Sequence, residues 1–517
     1  MSLWLLILIP ILAAPFSWMG QQWSRHAPRW IALGALSVDV LLTYFLWIQD
    51  RSIQASGHGA WLVESHIPWI PRWGISLHLG LDGLSVVLIL LTAVIGIVAI
   101  IASWTEIRSR AGLFHCNVLL ALGGVIGVFL AIDLILFFFF WELMLIPMYL
   151  LIVIWGYAQR RHASFKFFLF TQAGSLVLLV AIVALALLHQ QATGQPSFDY
   201  ADLMRLTLTS ETAWWLMLAF LIGFLVKLPA PPFHTWLPDT YAEAPTGASI
   251  ILAGILAKTG AYGLLRFTIP LFPEAMSTFA PIAMGLGAFG ILYGALLACS
   301  QTDIKRLVAY SSISHMGFIL LGTFAGTELA LQGVVMQMVA HGLSTGGLFL
   351  LAGALQERYQ TREMGQMGGL WSVTPRLATM ALFFACASLG LPGLANFIGE
   401  FLVLFGSYAT QPIMTILASL GMVMAAIYSL GMMQRTFFGR QQDIRTAPDL
   451  SNVAFGTVLF IAVLQIWLGL YPKAVLSTTK PVMEQLVQHV LVSADPTHVR
   501  SESVLSSHIV ATQGSTP

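Results

Sequence analysis

Apolar runs of about 20 residues recur along almost the whole chain, and a run of that length is what a helix needs to cross the hydrocarbon of a bilayer. Only 9% of the 517 residues are charged, against about 25% in a soluble protein. The expectation is an all-α, polytopic membrane protein of about 14 transmembrane helices. The runs lie near 3–20, 30–48, 82–103, 112–131, 133–155, 165–188, 213–229, 241–266, 277–298, 304–324, 328–355, 374–399, 404–433 and 453–471. Only Asp133 divides the fourth from the fifth.

The basic residues orient this arrangement. With an outer N-terminus, fifteen fall in inner loops and seven on the outer side, while Lys227 and Lys258 lie within spans. The positive-inside rule then puts both termini outside, with an even number of spans. The first run, Leu3–Met19, has no basic residue before it and reads as a first span rather than a cleaved signal. The outer loop 49–81 contains WLVESHIPWIPRW, whose tryptophans suit a membrane interface. From 473 the chain turns polar and reads as a tail, mobile over its last twenty residues.

Two spans carry breaks. Pro229, Pro231 and Pro232 follow Lys227, and proline cannot donate a helical hydrogen bond, so span 7 breaks there. Span 12 carries Leu389-Gly390-Leu391-Pro392-Gly393. Paired interruptions in two halves of a membrane protein point to a transport site. Spans 4–8 and 9–13 number five each, so the second set is inverted. The expected divisions are 1–111 (three helices and the outer loop), 112–268 (first repeat), 269–435 (inverted repeat) and 436–517 (last helix and tail).

Ionisable residues at membrane depth cost several kcal/mol and usually face a protein interior or a watery cavity. Glu142 lies in ILFFFFWELMLIPMYLL, with Lys227 as its natural cation if spans 5 and 7 touch. Lys258 lies in ILAGILAKTGAYGLL with no acid within a turn, and desolvation disfavours its charged form, which suits a proton carrier. Gln337, His341 and Ser344 share one helix face, and Ser311 and His315 another. Such stripes can line a water file from Lys258 to Glu400, which follows the second break. For each residue the alternative is helix packing through ion pairs or hydrogen bonds. His234, Asp239 and Glu243 read as solvated residues of an inner loop, with proton entry as the functional alternative. Asp133 and Glu106 read as interfacial.

Other chemistry is absent from the pattern. Cys116, Cys299 and Cys386 are isolated within apolar runs, so no iron–sulfur or zinc site is indicated. His315 and His341 lack metal-ligand spacing, and no haem site is expected. No Walker A loop or dinucleotide fingerprint occurs, and the net charge of +1 argues against a nucleic-acid surface.

The stretches FFFFWELMLIPMYLLI, VKLPAPPFHTWLPDTYAEAPTGASIILAGILAKTGAYGLLRF, TDIKRLVAYSSISHMGF, MVAHGLSTGGLFLLAG and GLPGLANFIGEFLVL resemble the antiporter-like membrane subunits of respiratory NADH–quinone oxidoreductase (complex I). The resemblance covers most of spans 4–13, and the chain leaves no room after span 14 for the lateral helix of a longer sister subunit. It implies two inverted five-helix repeats, a Glu142–Lys227 pair, Lys258 as central proton carrier, His315 and His341 on a hydrophilic axis, and Glu400 as terminal group. It implies a proton-translocating, non-redox subunit in the bacterial inner membrane. FMN, iron–sulfur clusters and quinone would belong to partner subunits, among them antiporter-like neighbours. Ser249-Ile250-Ile251-Leu252 departs from relatives that carry an extra acid there, so Lys258 has no acidic partner on its own helix. A subunit of a multi-subunit Na⁺/H⁺ antiporter is the alternative, and a membrane scaffold a second one.

Overall fold

The structure, a computed structural model, describes residues 3–53, 61–439 and 447–494. Each expected span is helical. The first eight are α1 (Trp4–Gly20), α2 (Ala27–Ile53), α3 (Gly83–Ala102), α4 (Ala111–Leu130), α5 (Leu134–Trp155), α6 (Arg160–Thr193), the broken α7 (Ser210–Lys227 and Trp236–Glu243) and α8 (Thr246–Leu271). There follow α9 (Pro273–Cys299), α10 (Ile304–Thr323), α11 (Glu328–Tyr359), the broken α12 (Pro375–Ser388 and Ala395–Tyr408), α13 (Pro412–Thr436) and α14 (Asn452–Leu470). Among the described residues, 11 helices are long and apolar enough to cross a membrane unaided. The exceptions are α1, the broken α12 and α10, whose face is rich in Ser and His.

Four local readings are corrected. First, α12 resumes at Ala395 and runs to Tyr408, so Glu400 lies inside its second half rather than beyond the span. Second, residues 236–243 are not an inner loop but the second half of α7, a buried amphipathic helix of about two turns. Third, the outer loop folds into an antiparallel hairpin of β1 (Val63–Ile70) and β2 (Ile75–Leu81). Gly74, at φ 65°, closes its turn in the left-handed region open to glycine. Fourth, the polar tail begins with a helix, α15 (Lys473–Ala494). Val475, Thr479, Met483 and Leu486 are buried along it, a helical spacing that packs one face onto α3, α9 and α11. That face is too short to read as a span. The last twenty residues lie outside the described residues.

The two five-helix sets, α4–α8 and α9–α13, are related by local geometry as well as number. The fourth helix of each is the broken one. The second helix of each is N-capped by an aspartate: Asp133 accepts from Ile135 and Leu136 N–H, and Asp303 from Lys305 and Arg306 N–H. Each aspartate forms an isolated bridge to an acidic residue ahead of the broken helix, Asp133 to Asp199 and Asp303 to Glu363. The next backbone bonds match, Leu134 N to Phe198 O at 2.9 Å and Ile304 N to Arg362 O at 3.0 Å. One junction lies on the hairpin face and the other on the opposite face, as an inverted repeat requires.

Candidate functional site

Lys258 sits mid-way along α8 between two π-helical turns, Leu252–Leu256 and Leu264–Thr268. Such bulges recur at functional sites because they release backbone groups from the helical ladder. The carbonyl of Ala253, within the first turn, accepts a hydrogen bond from Lys258 Nζ at 2.5 Å. Lys258 Nζ also bonds His341 Nδ1 on α11 at 2.7 Å. The His341 ring lies 5.4 Å, centroid to centroid, from that of His315 on α10. His315 Nδ1 lies 2.9 Å from Glu400 Oε1 on α12, and its Nε2 lies 3.2 Å from Ser388 Oγ and 3.3 Å from the Tyr428 hydroxyl. Gln337 Nε2 donates to Glu400 Oε1 at 3.1 Å. All six residues from Lys258 to Glu400, Gln337 and Ser388 included, are at most 3% exposed.

The sequence-derived stripe on α11 is thus divided between three partners. Gln337 holds Glu400, His341 holds Lys258, and Ser344 accepts from Asn396 Nδ2 at 3.2 Å. The backbone of α12 reaches α11 closely at Gly399, where an added Cβ would lie 2.6 Å from Gln337 Oε1. Lys258 meets His341 directly and His315 meets Glu400 directly, while among the described residues no hydrogen bond joins the two histidine rings.

Glu142 and Lys227 are placed differently from the expected pair. Among the described residues no ion pair joins them, and neither Glu142 Oε1 nor Lys227 Nζ has a hydrogen-bond partner. Lys227 Nζ instead stands 4.9 Å over the ring of Trp141, the residue before Glu142. A cation over an indole face is attracted by about 1–2 kcal/mol when desolvated. Glu142 is half-buried with Oε1 shut off from solvent, and it is the preceding Trp141 ring that faces the amine.

The break in α7 is fastened by charges that the sequence placed in solvent. Asp239 pairs with Lys166 at 2.7 Å and Arg306 at 3.0 Å. Glu243 pairs with Arg362 at 3.0 Å, and Arg362 also reaches Asp303 at 3.0 Å. His234 is buried, with Nδ1 unpartnered and its ring edge-on to Tyr293. Asp133 is likewise buried as a cap, accepting from Ser76 N–H as well, and Glu106 accepts from the Tyr157 hydroxyl and Thr246 N–H. Neither is merely interfacial.

Three buried charges were passed over in the sequence. Lys305, counted as an inner-loop cation, is fully buried with Nζ 4.4 Å over the Tyr157 ring. Arg266, counted as outer, is buried against Asp82. Asp39, alone in LGALSVDVLLTYF on α2, is fully buried, and neither oxygen has a partner among the described residues. Its signal was legible by the same rule that singled out Glu142.

A buried chain of amine, two imidazoles and a carboxylate can relay protons, since each group both binds and releases one. Comparisons with known proteins accord with this geometry. The family described as "NADH:quinone oxidoreductase/Mrp antiporter, TM" matches residues 131–427. NADH-quinone oxidoreductase subunit M of Pseudomonas aeruginosa is 50% identical over 492 residues, covering 93% of this chain and 97% of that one. Subunit M of Escherichia coli (strain K12) is 48% identical over 493 residues, with the same coverage of 93% and 97%. A chain of respiratory complex I from Thermus thermophilus superposes with a TM-score of 0.86 at 33% identity, over 95% of this chain and 100% of that one. A chain of the Mrp complex from Dietzia sp. shares the fold, with a TM-score of 0.84 at 20% identity, over 95% and 99%. With half its residues identical to a subunit M across nearly the full length of both, the chain belongs to the family of NADH-quinone oxidoreductase subunit M.

Proposed function

We propose that the chain is the proton-translocating, non-redox subunit its family name implies, and that protons pass along Lys258, His341, His315 and Glu400. The observation that carries this reading is the buried line itself: contacts of 2.7 and 2.9 Å at its two ends and rings 5.4 Å apart between them. Desolvating ionisable groups is a poor route to stability, because apolar residues of similar volume pack as well. Lys258 passes its proton along the bond to His341 Nδ1, and the imidazole releases one from Nε2 towards His315. His315 delivers it to Glu400 through Nδ1. Ser388 and Tyr428 fix the His315 ring, and Gln337 fixes the carboxylate.

Glu142 and Lys227 act as the gate. When Glu142 draws Lys227 towards itself, positive charge leaves the neighbourhood of Lys258; when it lets go, that charge returns and favours release of the Lys258 proton. Two unit charges about 7 Å apart interact by roughly 2 kcal/mol at an effective dielectric of 20, more than a tenfold effect on transfer. Neighbouring membrane subunits hand on the same perturbation through Glu142. FMN, iron–sulfur clusters and quinone belong to partner subunits in this reading; Cys116, Cys299 and Cys386 lie on three different helices, α4, α9 and α12, and form no ligand set. The hairpin face is the outer, periplasmic one, which the distribution of basic loop residues supports.

The test is NADH-driven acidification of inverted membrane vesicles in sodium-free buffer, comparing the native chain with Lys258→Met at equal assembly. Acidification is expected to be lost. Full acidification by an assembled Lys258→Met complex overturns the pathway, and a sodium requirement in the native chain favours Na⁺/H⁺ exchange instead.

A further inference from the structure

We infer that the hairpin face carries a divalent-cation site, built from His66, His78 and Asp199 and suited to zinc. The hairpin register places His66 directly across from His78, with ring centroids 4.8 Å apart. Asp199 arrives from the segment between α6 and α7. That segment is tied to the hairpin by Phe198 N to Gly74 O at 3.3 Å, and to α5 by Leu134 N to Phe198 O at 2.9 Å. One donor atom from each of the three residues lies within 4.8 Å of the other two. Zinc bonded at about 2.0–2.2 Å holds its tetrahedral ligand atoms about 3.3 Å apart, so small side-chain rotations close the set.

The donors decide the metal. Two imidazoles with a carboxylate suit zinc, whereas calcium and magnesium take oxygen ligands. Glu64 Oε1 lies 2.7 Å from His78 Nε2, on the side of the imidazole away from Nδ1 and Asp199, so the fourth position is left to water. His66 is exposed and the Glu64 side chain is 50% exposed, so an ion enters from water. The ordinary alternative is a charged His78 held between Asp199 and Glu64. It accounts for both carboxylates but leaves His66 without a part. A bound ion staples the hairpin to the junction that caps α5, the helix of Glu142. Spacing along a helix carries no mark of a pair that meets across two strands.

The experiment uses the assembled complex, washed with chelator, equilibrated with buffered Zn²⁺ and freed of excess by gel filtration before the metal is counted. His66→Ala removes one ligand at the surface and leaves the His78–Asp199 contact that joins hairpin to segment. The native complex is expected to retain one zinc more per complex than His66→Ala, with affinity at that site weakened at least about tenfold in the variant. Intact NADH oxidation in metal-free buffer verifies that the variant is assembled. Equal zinc retention by the two complexes at every free-zinc level overturns the site.

Discussion

Gly390 ends the first half of α12 with φ +76°, and a Cβ added there would lie 2.9 Å from Glu400 Oε2. Gly393, in the same break, has φ +94°, and nothing lies within 4 Å of an added Cβ. Alanine at either position incurs left-handed backbone strain of about 1–3 kcal/mol. Only at 390 does the new methyl press on the carboxylate. A carbon–oxygen contact relaxes to about 3.3 Å, so Glu400 must move by about 0.4 Å. The carboxylate is 1% exposed and bonded to His315 at 2.9 Å and Gln337 at 3.1 Å, so the displacement is taken from those bonds. A charge-assisted hydrogen bond is worth about 1.5–3 kcal/mol, and losing half of it slows transfer about fourfold to twelvefold. The assay is NADH-driven acidification divided by NADH oxidation, in vesicles with equal amounts of assembled complex. Gly390→Ala is expected to lower the ratio and Gly393→Ala to leave it unchanged, although both lower thermal stability. Equal ratios in the two variants would refute the argument that the Glu400 position matters.

Three further outcomes follow from the geometry. Glu142→Gln removes a charge that makes no ion pair among the described residues, so assembly is expected to persist and acidification to be lost; unchanged acidification returns Glu142 to a packing role, and failed assembly favours the scaffold. Arg362→Ala leaves Glu243 and Asp303 without their 3.0 Å partner in a largely buried setting, which costs roughly 2–4 kcal/mol; a lower inactivation temperature of the complex checks it, and an unchanged one denies that this arginine fastens the α7 break. Gly83→Ala puts a Cβ 1.9 Å from the Thr478 carbonyl, so α15 must lift from α3. Protease should then nick residues 473–494 faster than in the native chain, and equal cleavage rates would contradict the docking.

The helices were legible because each apolar run states its own length, and the breaks because proline and glycine state theirs. Lys258, His315, His341 and Glu400 were legible for a related reason: a charge in hydrocarbon stands out against its neighbours. Their connection was not. Whether Lys258 bonds His341 depends on the rotation of α8 against α11, which a π-turn changes without any mark in the sequence. Asp239, Glu243 and Lys305 were misread as solvated because loop length says nothing of what packs over a loop. The β-hairpin was missed because its strands hold Pro68 and two histidines among tryptophans, a composition that also suits an interfacial loop. α15 was missed because its apolar face is one-sided and polar residues fill the rest.

The inverted repeat supplies the scaffold, and the chemistry is laid over it unevenly. Counting nine residues from each capping aspartate gives Glu142 in α5 and Ser312 in α10. The last helical residue before each break is Lys227 in α7 and Ser388 in α12. An acid and an amine in the first set therefore stand where the second set has hydroxyls. The second set carries its acid beyond the break instead, at Glu400, where it meets His315 of its own α10. Symmetry alone would place a second gate at Ser312 and Ser388, yet Ser388 serves only to hold the His315 ring at 3.2 Å. What joins the halves is Lys258, contributed by the last helix of the first set to a histidine on the third helix of the second. On the proposed pathway a perturbation at Glu142 reaches Glu400 through that contact, while Asp239–Arg306 and Glu243–Arg362 tie the same two sets near the α7 break. On the proposed pathway, lengthening the 2.7 Å bond between Lys258 and His341 is expected to uncouple proton transfer between the two sets while leaving each one folded.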